Sequence, residues 1–431
     1  MKKLTSWGRF PKVEASLEYP EKSKLSNLCQ VPFIPRGMGR SYGDSALSKN
    51  VVSTKNIRRF IEFDEKSGLL TCDSGVSLGE ILQLIVPKGW FLFVTPGTKF
   101  VSLGGAIASD VHGKNHHLDG CFSEFVEVLT LKIGDELVQC SKSKNPELFR
   151  ATCGGMGLTG LIIEATIKLK PIKSAYIDQV TIKTQNLKET LEIFEQHHTY
   201  TYSVAWIDCL ATANSIGRSL VMVGEHSKDG KLDEHQDRKL SIPFDFPSFV
   251  LNPYSIQAFN SLYYNKQLAV TKRNKVHYDT FFYPLDGISN WNKIYGKHGF
   301  TQYQFVIPKS AGLEGLTEIL QSISDSKLGS FLAVLKVCGP ENDNYLSFPL
   351  EGYSLALDFK ISKEVFALLS KLDRVVQKHN GRIYLTKDVC MNEAMFKATY
   401  TQWEKFQEIR KNNNALVLHE SFQSKRIGLS S

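Results

Sequence analysis

The run Gly154-Gly155-Met156-Gly157-Leu158-Thr159-Gly160 contains a literal G-x-G-x-x-G from Gly155 to Gly160. In a doubly wound α/β domain that string follows a strand and opens a helix, so that a dinucleotide pyrophosphate meets the helix N-terminus. Here the flanks are reversed. Pro146 to Thr152 reads as a helix before the glycines, and Leu161 to Lys170 alternates as a strand after them, closed by Pro171. The run therefore argues against a Rossmann domain, although its glycines still permit close backbone approach to something flat or phosphorylated. The strand that follows places a domain boundary at residue 172.

Two more glycine clusters lie upstream. The first, Pro35-Arg36-Gly37-Met38-Gly39-Arg40-Ser41-Tyr42-Gly43-Asp44, follows a short apolar strand at Val31 to Ile34. Its spacing is G-x-G-x-x-x-G and no clear helix follows. It reads either as a turn-rich loop or as a nest of backbone N–H groups for a pyrophosphate, with Arg36 or Arg40 adding charge. The second runs Thr95-Pro96-Gly97-Thr98 and then Ser102-Leu103-Gly104-Gly105-Ala106-Ile107-Ala108-Ser109-Asp110-Val111-His112-Gly113. Two backbone-exposing stretches so close together predict one extended ligand across both. In His112-Gly113-Lys114-Asn115-His116-His117 the four-residue histidine spacing invites a metal. No carboxylate completes a zinc motif there, so polar contact with cofactor or substrate is the expectation, and no metal site.

Further along, Gln302 to Ile307 alternates as a strand, and Leu313, Leu316, Ile319, Leu320 and Ile323 recur at helical spacing. Phe331 to Val337 and Tyr353 to Phe359 read as two more strands. Val365, Leu368, Leu369, Leu372, Val375 and Val376 mark a second helix, with Ser362 as N-cap and Asn380-Gly381 as stop, before a short strand at Arg382 to Leu385. This β-α-β-β-α-β order predicts a ferredoxin-like antiparallel sheet covered by helices on one face. Tyr303, Phe305, Ile307, Ala333, Leu335, Val337, Leu355, Leu357 and Phe359 then share the helix-covered face. Gln302, Gln304, Lys336, Ser354 and Ala356 share the other, either as a solvated surface or as the lining of a ligand site.

Composition bounds the rest. The chain has 431 residues, 42% hydrophobic and 22% charged, with a net charge of +8, which suits a globular protein of two or three domains. The basic excess favours anionic ligands or a membrane surface and is too diffuse for a nucleic-acid binder. Eight scattered cysteines without a CxxC pair predict buried free thiols in a reducing compartment. The basic start lacks an apolar core for a signal peptide, and apolar stretches such as Trp90 to Val94 are far too short to cross a bilayer. A cytoplasmic protein, at most peripheral at the inner membrane face, is expected. No repeat of short period is visible, and 215–260 reads as the loosest region, its charged run Ser227 to His235 as a solvated loop.

Taken together, "RGMGRSYGD", "PGT…LGGAIASDVHGKNHH" and "GGMGLTG" resemble the flavin domain of the vanillyl-alcohol-oxidase type of FAD-linked oxidoreductases. "HGKNHH" is specific to the subgroup of decaprenylphosphoryl-β-D-ribose 2-oxidases, and the likeness continues through "YSVAWID" (202–208), "FYPLD" (282–286), "GFTQYQFVIP" (299–308), "SFP" (347–349) and "LTKD" (385–388). The resemblance implies an α+β fold: a two-part FAD-binding domain at 1–172, returning at 382–431, around an antiparallel-sheet substrate domain at 173–381. It implies noncovalent FAD held by Pro35 to Ser45, Gly97, Ser102, Leu103, Gly104, Gly105, Ser109, Asp110, Val111, His112, Ile162 and Tyr384. No histidine stands in the first glycine loop to tether it. His112, Lys114, Trp206, Gln302, Gln304 and Lys336 would bind substrate. Lys387 would act as base or hydrogen-bond donor, assisted by Tyr42. Ala356 stands where mycobacterial members carry a cysteine.

The implied reaction is oxidation of the 2-hydroxyl of a polyprenyl-phosphoryl pentose to the 2-keto sugar. A short-chain reductase would complete an epimerisation for cell-envelope glycan, and a quinone-like acceptor would take the electrons. A sugar-lactone or alditol oxidase, and a flavin-bearing assembly subunit without turnover, are the alternatives.

Overall fold

The computed structural model describes residues 1–28, 31–233, 240–247 and 249–430. Cys29 and the Glu234-His235 end of the charged run lie outside the described residues. Helices and antiparallel sheets are largely segregated, an α+β arrangement.

The N-terminal half holds two sheets. A four-stranded mixed sheet is ordered Lys2–Thr5, Lys12–Glu18, Asn50–Ser53, Ile34–Arg36. An antiparallel sheet is built around Leu161–Pro171, which pairs with Leu69–Asp73 on one side and Val126–Ile133 on the other. The helix Leu78–Ile85 starts in a capping box, Ser77 with Glu80, and turns Leu78, Ile81, Leu82 and Ile85 into the core. The helix Pro146–Thr152 precedes the third glycine cluster and the strand Leu161–Pro171 follows it. Gly154, Gly157 and Gly160 have positive φ, which explains why this turn is glycine-rich.

The C-terminal half is built on an eight-stranded sheet in which every neighbouring pair is antiparallel, with a separate two-residue parallel pairing of Leu240–Ser241 and Ile288–Ser289. Half of it runs strand Phe300–Pro308, helix Gly312–Ser326, strands Ala333–Cys338 and Gly352–Lys360, helix Lys363–Lys378, strand Arg382–Ile383. Ser362 caps the last helix, accepting from the Val365 N–H at 3.2 Å. Residues 176–277 repeat the same element order, and the two sets of four strands meet where Tyr202–Ile207 pairs with Ala333–Cys338. This duplication has no visible trace in the sequence. It is one of element order, and the halves differ in placement, for the helix Pro253–Asn265 packs on the Trp206 and Leu220 face.

The region 215–260, expected to be loose, contains the strand Ser219–His226 and the start of the helix Pro253–Asn265. That helix is apolar on more than one side, so its sequence shows no clean helical stripe. After residue 392 the chain folds back. The helix Trp403–Asn412 packs on Pro146–Thr152, and fully buried Arg410 donates to the carbonyls of Leu158 and His419. Seven described cysteines are free, six of them buried.

Candidate active site

The three glycine clusters meet at one cavity of about 620 Å³. Gly37 lies so close to Ser102 that a Cβ would fall 2.2 Å from its Oγ, which joins the first cluster to the second. Gly157 packs on the Pro35 ring, which joins the third. A Cβ on Gly97 would meet nothing within 4 Å, because this glycine faces the open cavity. Ser102 caps the short helix Leu103–Ala108, accepting from Gly105 N–H. The Tyr42 N–H donates to the Thr386 carbonyl at 2.9 Å, which ties the first loop to the segment bearing Lys387.

Most of the expected cofactor residues line this cavity: Pro35, Gly37 to Tyr42, Ser45, Gly97, Ser102, Gly104, Gly105, Ser109, Val111, His112, Ile162 and Tyr384. Arg36, Gly43, Asp44, Leu103 and Asp110 do not. Arg36 donates to the Thr5 and Ala46 carbonyls, and Asp44 pairs with Arg426 at 2.5 Å. A Cβ on Gly43 would strike the Asp388 carbonyl, and Leu103 is fully buried in the core. Asp110, at φ 37, accepts from Ser123, Asn342, Asn344 and Ser347, a network that holds a strained residue beside the cavity.

The sheet supplies the facing wall. Gln302, Gln304, Val334, Lys336 and Ala356 point into the cavity, whereas Tyr303, Phe305, Leu335, Leu355 and Leu357 join the helix-covered core. Gln304 Nε2 lies 2.9 Å from His112 Nε2 and 3.2 Å from Ser354 Oγ. Gln302 donates to Asp358 Oδ1 at 2.6 Å. Lys114 lines the cavity and donates to the Phe282 carbonyl at 3.2 Å. Lys387 Nζ stands 4.0 Å from the centre of the Tyr42 ring. Trp206, expected at the substrate site, is not on this wall. Its Nε1 donates to the Phe331 carbonyl and its ring packs with Tyr263 and Tyr264, while Val204, two residues earlier, lines the cavity instead.

The wall is cationic and poorly solvated. Among the described residues, Lys114, Lys336 and Lys387 form no ion pair. Burial lowers Lys114 and Lys387 to about 7, with Lys336 nearby adding repulsion, and burial lowers Lys336 as well. His112 is held well below its ordinary range by burial, by Lys336 and Lys387 and by His116, so its imidazole is neutral. Burial raises Asp358, which accepts from Gln302, to about 7, and Asp286, which lines the cavity, to about 6. Asp358 could have been found in the sequence, because alternation from Ser354 and Ala356 puts it on the same face. Trp7, Thr54 and Trp291 also line the cavity and carried no local signal.

These residues fit a flavin dinucleotide. The glycines let the backbone approach a ligand closely, Arg40 stacks on Trp7 at 3.9 Å beside the first loop, and Thr54 Oγ1 and His112 Nδ1 are buried polar atoms without a partner.

Proteins similar in sequence point to the same cofactor. Residues 21–140 match the family described as FAD binding domain. The chain is 34% identical to decaprenylphosphoryl-beta-D-ribose oxidase of Mycolicibacterium smegmatis, over 99% of this chain and 98% of the relative. Weaker matches are to D-lactate dehydrogenase of Anaerostipes hadrus, 25% identical over 41% of this chain and 39% of the relative. L-gulonolactone oxidase of Scyliorhinus torazame is 24% identical over 37% of this chain and 36% of the relative.

Proposed function

Because the chain belongs to the FAD-linked oxidoreductase family of decaprenylphosphoryl-β-D-ribose oxidase, we propose that it oxidises the 2-hydroxyl of a polyprenyl-phosphoryl pentose to the 2-keto sugar. The observation that carries this reading is the cavity itself: a glycine cradle on one side and, on the other, three lysines that form no ion pair among the described residues. In this reading 1–172 and 382–431 form the FAD domain, and 173–381 the substrate domain, its second half a ferredoxin-like unit. The backbone of Gly37 to Ser41 and of Ser102 to Gly105, with Gly97, Ser109, Ile162 and Tyr384, would hold FAD, which when bound supplies the hydride acceptor.

The protein's own residues handle charge and protons. Lys336 and Lys114 hold the anionic phosphoryl group, whose negative charge favours their protonated form against burial. Gln302 and Gln304 orient the sugar hydroxyls, and neutral His112 accepts or donates beside them. Lys387 Nζ receives the proton of the reacting hydroxyl, because burial leaves a large neutral fraction near pH 7. The Tyr42 ring fixes that amine in place. Asp358, hydrogen-bonded to Gln302, is the nearby group able to take the proton onward. A short-chain reductase acting on the 2-keto product, a quinone-like electron acceptor and a peripheral membrane contact complete the proposal.

The test is anaerobic: yellow holoprotein mixed with a polyprenyl-phosphoribose should bleach. Bleaching by free lactones or alditols alone would instead select the reading favoured by the L-gulonolactone oxidase match. FAD release without any bleaching would point to an assembly subunit.

A further inference from the structure

Among the described residues, eight of the seventeen exposed large apolar side chains fall between Leu240 and Val270. Strand Leu240–Ser241 pairs with Ile288–Ser289, whose residues line the cavity, and Leu251 packs with Tyr42 and Trp291 in the wall. From this rim the chain enters the helix Pro253–Asn265, anchored from below by buried Asn260, which donates to Asp208, and by Tyr264, which donates to the Thr184 carbonyl. Phe259 touches Phe331 at the cavity edge. The outward face of the helix is apolar too: Tyr254 is 83% exposed, Leu262 74%, and Leu268 in the following loop 92%. Leu240 and Phe244 on the rim are 71% and 63% exposed. A helix that is apolar inside and outside is short of a partner on its outer side.

Charge decides which partner. Residues 253–275 contain Lys266, Lys272, Arg273 and Lys275 and no Asp or Glu. All four are exposed; Lys275 is paired with Asp229 at 2.9 Å, and Lys266, Lys272 and Arg273 form no ion pair among the described residues. Aromatic and aliphatic side chains flanked by Lys266, Lys272 and Arg273, with the rim's Asp245 already paired to Arg9, match the boundary of an anionic bilayer, where rings enter the acyl border and cationic groups reach lipid phosphates. We propose that the outer face of Pro253–Asn265, with Leu268, Val270 and the rim at Leu240 and Phe244, seats on an anionic lipid bilayer and presents the cavity mouth to lipid-linked substrate. This deepens, and rests on, the reading of a polyprenyl-phosphoryl substrate.

The experiment is co-sedimentation of holoenzyme with vesicles of phosphatidylcholine alone or mixed with phosphatidylglycerol. Binding to the mixed vesicles, weakened by salt, is expected. Lys266→Gln/Lys272→Gln/Arg273→Gln should weaken it about a hundredfold, from the surface attraction of three basic residues. Tyr254→Ser/Leu262→Ser/Leu268→Ser should reduce it as well. Both variants should stay yellow, and a short-chain, water-soluble phosphoribose substrate should reduce them at the wild-type rate. No vesicle binding by wild type, or equal binding by both variants, overturns the proposal. So does a concentration-dependent dimer abolished by the serine variant, which would assign the face to a second copy. Vesicle binding without reduction by the soluble substrate supports the surface and removes the substrate reading instead.

Discussion

At the scale of single residues, Lys387 is the sharpest point. Replacing it with Ala removes the proposed proton acceptor while leaving the glycine cradle intact. FAD content should be unchanged and flavin reduction slowed about 10²–10⁴-fold, measured by stopped-flow bleaching. The sign of the pH dependence follows from burial. Because the Lys387 pKa is lowered to about 7, the neutral amine dominates above that pH, so reduction should accelerate as pH rises through about 7 and then level off. A flat profile in wild type would exclude Lys387 as base. Asp358 titrates in the same range, so the observed pKa belongs to the pair, and Asp358→Asn should displace it. Both positions illustrate what a sequence offers at this scale. Lys387 was legible through the string around it, and Asp358 through alternation. Trp206 lies off the cavity lining, because its ring packs toward the helix Pro253–Asn265.

Among the secondary-structure elements, the alternation in Phe300–Pro308 and the periodicity of Lys363–Lys378 gave elements close to those observed, since each follows from neighbours a few residues apart. The helix Pro253–Asn265 escaped because its outer face does not contrast with its inner one. The short helix Phe422–Arg426 makes a testable contribution. Its Arg426 pairs with Asp44 at 2.5 Å and with Asp388 at 2.9 Å, clamping the first glycine loop to the Lys387 segment. Arg426→Met would leave two buried carboxylates without a countercharge. A loss of roughly 3 kcal/mol, the lower end for a broken buried pair because Arg426 is partly exposed, is expected in denaturant unfolding, with weakened FAD retention. Unchanged stability would mean that the clamp contributes nothing.

For the whole molecule, part of the basic excess behind the charge of +8 has a place: three lysines line the cavity, and 253–275 carries four basic residues and no acid. Among the described residues no helix is long and apolar enough to cross a membrane. A ligand spanning all three glycine clusters should stabilise the molecule as a unit. FAD at about a hundred times its dissociation constant should add roughly 2.7 kcal/mol, seen as a higher Tm than that of stripped protein. A Tm indifferent to FAD would argue that the cradle is not its site.

By itself the sequence determined the absence of a Rossmann reading, the position of the glycine loops, the two faces of Phe300–Pro308 and its neighbours, and the family. All of these rest on residues within a few positions of one another, where propensity and periodicity act directly. Only the tertiary structure decided that Gly37, Gly97, Gly157, Lys336 and Lys387 border one cavity, that Asp44 and Asp110 brace it from behind, and that the strand order of 176–277 repeats in 300–383. Convergence of residues hundreds of positions apart is set by packing of whole faces, and no local pattern encodes which face meets which.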